Sequence, residues 1–129
     1  MIGRLIYSIL SSDAALTALV PATKIFPYVL NENTDLPAIV YGIRDVSPEY
    51  TKDGWSLDNI EFTVVVITPS YSDLQDIAVI VRDAMELFKG TVGTTTIQRI
   101  QMTGMNEQFL QDVNVFTSEM SFNVNVINY

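Results

Sequence analysis

Ile77, Ala78, Val81, Met85 and Phe88 follow Leu74 at intervals of three, four, seven, eleven and fourteen residues. That spacing places all six on one stripe of an α-helix and predicts a helix over Tyr71 to Lys89. A stripe this wide needs a surface to cover, and the alternating segments on either side of it predict a sheet. Ser70 is positioned to cap the first turn with Asp73 three residues on, while Lys89 and Gly90 suit the carbonyl end. On the opposite side of this helix Val79 and Leu87 stand among Asp76, Asp83 and Glu86, with Ile80 at the border. Apolar groups among carboxylates, where only solvent is expected, mark the helix back as a candidate second contact surface.

The rest of the chain supplies the sheet. Ile2, Leu5, Ile6, Ile9 and Leu10 predict a short amphipathic helix, and Ser12 is expected to cap a second one, DAALTALV, which Pro21 ends. KIFPYVL reads as an edge or bulged strand, because Pro27 has no amide hydrogen to give a ladder. LPAIVYGIRDV reads as a strand covered on both sides at its start. Ser47 to Ser56, holding an Asp53-Gly54 turn signal, is expected to form a long hairpin connection to the strand Leu57 to Thr68, whose far end at Val65 and Ile67 is expected between two layers. After the helix, Thr91 to Thr95 reads as a connection, and Thr96 to Met105 as a strand with a bulge between Ile97 and Ile100. Asn106 to Asn114 reads as a loop that contains Phe109 and Leu110. The final strand, Val115 to Ile127, alternates cleanly between Phe116, Met120, Phe122, Val124, Val126 and a polar set. The expected class is α+β, in the order ααβββαββ: a mostly antiparallel sheet of four to five strands, with one long helix on a face and short N-terminal helices. A chain of 129 residues, 48% of them hydrophobic, is expected to form a single domain over residues 1–129.

Composition narrows the chemistry. The chain has no histidine and no cysteine, which removes the imidazole relay, thiolate nucleophiles and zinc-thiolate sites. The six glycines are isolated and match no phosphate-cradling pattern. Asp73/Asp76 and Asp83/Glu86 lie one turn apart but offer too few fixed oxygens for a hard cation. No catalytic residue, cofactor or metal is expected, and the chain does not read as an enzyme. Seven basic residues against fifteen acidic ones give a net charge of −8, which disfavours holding nucleic acid by its phosphates. No segment reads as a signal peptide or membrane span, so a soluble intracellular protein is expected. Tyr50 and Trp55, flanking the hairpin tip, are residue types that dominate protein contacts.

The order of these segments resembles the small phage tail terminator proteins, also called tail completion or head-tail joining proteins. The resemblance runs through DAALTALV, KIFPYV, LPAIVY, DNIEFTVVVIT entering SYSDLQDIAVIVRDAM, and the alternating last strand, and covers nearly the whole chain. NENTD before Leu36 and the high acid content depart from it. The resemblance implies a structural protein of the virion tail or neck, assembled in the bacterial host cytoplasm as a homo-hexameric ring. Such a ring caps the tail tube protein, meets a head completion or connector protein, and lets DNA pass without specific binding. On that reading the candidate interface residues are Tyr50, Trp55, Asp76, Val79, Ile80, Asp83, Leu87, Phe109 and Leu110. The competing expectation is a small monomeric or dimeric ligand-binding or accessory domain with a pocket between helix and sheet.

Overall fold

A computed structural model describes residues 2–29, 35–50, 52, 54, 56–86, 88, 90–92 and 95–128. Two helices open the chain, α1 (Ile2–Ser12) and α2 (Ala14–Leu19). A short 3-10 turn at Ala22–Lys24 leads into strand β1 (Ile25–Pro27), followed by β2 (Ala38–Tyr50) and β3 (Ser56–Thr68). Helix α3 (Tyr71–Glu86) precedes β4 (Gly90–Val92), β5 (Thr95–Leu110) and β6 (Val115–Asn128). The strands form one sheet in the order β1-β2-β3-β6-β5-β4, antiparallel throughout except for the parallel β1–β2 pair. The α+β class and the element order are as expected, with β4 added as a sixth, three-residue strand where a connection was expected.

Alternation decides which face of the sheet is buried. Ile60, Phe62, Val64 and Val66 of β3 and Met120, Phe122, Val124 and Val126 of β6 are all buried, and they pair across the ladder as Ile60 with Val124, Phe62 with Phe122 and Val64 with Met120. Strand residues that pair directly share a face, so this set forms one apolar surface at the centre of the sheet. Leu74, Ile77, Ala78, Val81 and Met85 of α3 close over it, joined at the β1 side by Leu5, Ile6, Leu10 and Leu16. All three helices therefore belong to one core on one face.

Several boundaries differ from expectation for identifiable reasons. Asp13, not Ser12, caps α2: its Oδ1 accepts from the Leu16 amide at 3.0 Å, and α1 runs on through Ser12. Ser70 caps α3 as expected, accepting from the Asp73 amide at 3.4 Å. α3 stops at Glu86, and the Phe88 amide turns back to the Met85 carbonyl at 3.3 Å. β2 and β3 extend to Tyr50 and from Ser56, so the connection shrinks to 51–55, where Gly54 takes φ +88°. Asp53 lies outside the described residues. The expected bulge at Ile97/Ile100 is present, with another at Met102/Gly104. The expected loop from Asn106 is instead strand as far as Leu110, because β6 offers it a continuous ladder from Asn106–Glu119 to Leu110–Val115, and the turn is confined to residues 111–114. Val65 and Ile67 are half-buried on the helix-free face.

Candidate interaction surfaces

The registers fix where the candidate residues lie. Tyr50 pairs with Ser56, which pairs with Asn128, so the β2–β3 tip stands at one end of the sheet. Thr68 pairs with Phe116, and Phe116 with Phe109, so the β5–β6 tip stands at the other. Tyr50 is 80% exposed. It belongs to an outer half of β2, Arg44 to Tyr50, in which every residue is exposed.

At the opposite end Phe109 belongs to an apolar cap on the helix side that includes residues the sequence did not single out, while Leu110, next along the strand and paired with Val115, lies on the other face. Phe109 and Phe116 rings sit 4.7 Å apart, and Tyr71 meets Phe116 edge-on at 5.4 Å, a favoured aromatic geometry. Val113, in the turn that follows, is exposed. Glu107 ties the cap to α3, accepting from Tyr71 Oη at 3.0 Å and from Gln75 Nε2 at 2.8 Å. The Glu107 hydrogen bond and its negative charge hold the Tyr71 phenol above its ordinary pKa.

On the back of α3, Asp76, Val79 and Asp83 are exposed, and Val79 is 59% accessible. Ile80 is half-buried and packs against the core, so it contributes only its margin to that surface. Trp55 and Leu87 lie outside the described residues. The candidates thus fall into three separated places, namely the α3 back and the two ends of the sheet.

A further exposed pair, Tyr28 and Val29, follows β1. Tyr28 adopts φ +61°, and its ring lies over Gly42, where any Cβ would meet it at 2.9 Å. Its Oη accepts from the Ile43 amide at 3.4 Å, and its own amide donates to the Tyr41 carbonyl at 2.8 Å. A groove of about 420 Å³ runs here, lined by Arg4, Tyr7, Pro27, Tyr28, Tyr41 and Gly42 among others. It lies between α1 and the β1–β2 margin of the sheet. Two of its hydroxyls are engaged, Tyr28 as described and Tyr7 donating to the Ala22 carbonyl at 3.3 Å. Burial, with a smaller contribution from Tyr7, raises the Tyr41 pKa. Among the described residues no cluster of three or more acidic side chains is arranged to hold a metal ion, and no helix is long and apolar enough to cross a membrane.

Comparison with known proteins gives this geometry a context. No curated protein sequence matches the chain. Among solved structures, a chain from the virion of a native gene transfer agent particle superposes with a TM-score of 0.81 at 19% identity, covering 95% of this chain and 92% of that one. The fold is therefore shared with that virion component. A family model described as tail completion protein gp17 matches residues 4–127, from α1 to the end of β6. The chain belongs to the phage tail completion protein gp17 family.

Proposed function

We propose that this tail completion protein acts by shape and self-association, forming a homo-hexameric ring that caps the tail tube and joins it to the head while leaving a lumen for DNA. Its partners on this reading are other copies of itself, the tail tube protein and a head completion or connector protein. Its places are the tail or neck of the virion and, during assembly, the host cytoplasm. The supporting observation is the distribution of exposed apolar side chains over three separated surfaces of a tail-completion chain: Val79 on α3, Tyr50 at one sheet end, and Phe109 with Leu110 at the other. A closed ring needs two different contact patches on each subunit, and stacking between tube and head needs further ones. Size is compatible with the role. A 129-residue domain has a radius of gyration of about 14 Å, and six touching spheres of that size enclose a hole roughly 36 Å wide.

Light scattering over a concentration series tests this. Six copies of a 14.4 kDa chain weigh roughly 86 kDa, and that mass is expected for the ring. A mass that stays at one or two copies at every concentration, in solution and on purified tail tubes, counts against it.

A further inference from the structure

We infer that the groove between α1 and the β1–β2 margin receives the outer half of β2 from a second copy of this chain, with Pro48 and Tyr50 set among Tyr7, Tyr28 and Tyr41 and Glu49 against Arg4. This rests on the self-association reading and adds to it which two patches of neighbouring subunits meet.

The outer half of β2 is an arm that carries an uncovered apolar row. Val46 pairs with buried Ile60, so by alternation Val46, Pro48 and Tyr50 all stand on the helix side of the sheet. The cover given by the helices ends at Ile60, and all three arm residues are exposed. A tyrosine beside a proline on a paired strand is already rigid, so docking it orders little that is free to move. The arm cannot fill the groove of its own chain. β2 stays paired with β3 from Asp45 to Tyr50, which carries Pro48 roughly 16 Å along the strand from Ile43 at the groove. Only a second molecule brings this row to that groove.

The groove is formed before anything enters it. The Tyr7 and Tyr41 rings lie 6.4 Å apart at 43°, and the Tyr7 and Tyr28 hydroxyls are held by the Ala22 carbonyl and the Ile43 amide, so its aromatic walls are fixed. Aromatic-lined grooves are the surfaces that take extended, proline-containing segments. Charge selects this segment. Arg44 is paired with Glu119, Arg82 with Glu86, and Asp45 accepts from Ser47 Oγ at 2.9 Å. Arg4 at the groove and Glu49 on the arm have no ion pair or hydrogen bond among the described residues. A free guanidinium on one patch and a free carboxylate on another complement each other when copies meet head to tail, the arrangement that a closing ring uses. The rings supply the buried area, and the ion pair at the rim sets the register.

Disulfide trapping and charge reversal test the contact. The chain has no cysteine, so Arg4→Cys/Glu49→Cys introduces the sole pair that can link. Mild oxidation, in solution and on purified tail tubes, is expected to give a ladder of linked chains on a non-reducing gel. Glu49→Cys/Ala18→Cys, with its second thiol on an exposed position of α2, is expected to give none. Arg4→Glu and Glu49→Arg, each checked for folding by circular dichroism, should each raise the midpoint concentration for assembly at least about tenfold. Arg4→Glu/Glu49→Arg should restore it. A ring that forms in the trapping variant without linkage overturns the contact and leaves the ring standing. Two single reversals that weaken assembly while their combination fails to rescue it show that Arg4 and Glu49 do not meet, and also overturn it. A wild-type chain that never assembles, in solution or on tubes, removes both readings together.

Discussion

Two aromatic residues at the middle of the sheet illustrate how much of the stability is set by single side chains. Phe62 and Phe122 are fully buried, directly paired across β3 and β6, and stacked with centroids 5.3 Å apart at 18°. Truncating either leaves a cavity under α3 that a close-packed core fills only in part. Phe62→Ala and Phe122→Ala are each expected to cost about 3–5 kcal/mol, read as a lower urea midpoint. The double variant should cost less than the sum, because the rings are each other's neighbours. Tyr71 offers a different kind of test. Its phenol donates to Glu107, so ionising it breaks that bond and sets two negative charges together, which raises its pKa in the folded state above the ordinary value of about 10. The stability it contributes is thus complete below about pH 10 and is lost as pH rises through the higher folded value. Tyr71→Phe is expected to be less stable than wild type near pH 8, with the gap narrowing as unfolding is followed toward pH 11. A gap that stays constant or widens on that path would rule the hydrogen bond out as the cause.

At the scale of elements, α3 was legible because a 3.6-residue period over sixteen residues matches an α-helix and no strand, and β3 and β6 because one face of each is buried and the other polar. The last five residues of β5 were not legible, and Glu107 shows why. It points to the helix side of the sheet, where a carboxylate reads as a break in a strand pattern, yet Tyr71 and Gln75 of α3 both donate to it. Those donors are 36 and 32 residues away along the chain, so no local window contains the reason. Glu86 repeats the device at the other end of α3, accepting from the Met102 amide at 3.4 Å while paired with Arg82. The candidate surface was legible only as residue types. Val79 and Tyr50 stand exposed as expected, but Ile80 turned partly inward, and the Tyr71 and Phe116 parts of the Phe109 cap emerge only from tertiary contact. What an exposed Val meets is a property of a second molecule and is not written in its own period. Val79→Asp therefore separates fold from assembly. The site is exposed on a helix, so thermal unfolding of the subunit should shift little, while the native mass should move toward monomer. An unchanged native mass would exclude the α3 back as a ring contact.

For the whole molecule, charge sets the terms of assembly. Each chain carries a net −8, so neighbours in the proposed ring would repel one another at long range whatever their contacts. Touching subunits have centres roughly 36 Å apart. The screening length is about 30 Å in 0.01 M salt and about 8 Å in 0.15 M, so the repulsion acts across most of a subunit at the lower concentration and is largely screened at the higher. If the proposed ring is built on Val79, Tyr50, Phe109 and Leu110, its contacts are apolar and lose nothing by screening. The midpoint concentration for forming the ring should then fall as salt rises from 0.01 to about 0.15 M, measured by light scattering at each ionic strength. If the subunits were instead held by ion pairs between the seven basic residues and their neighbours' carboxylates, the same titration would dissociate the ring. The sign of the salt dependence thus distinguishes an apolar ring working against its own charge from a ring held together by charge.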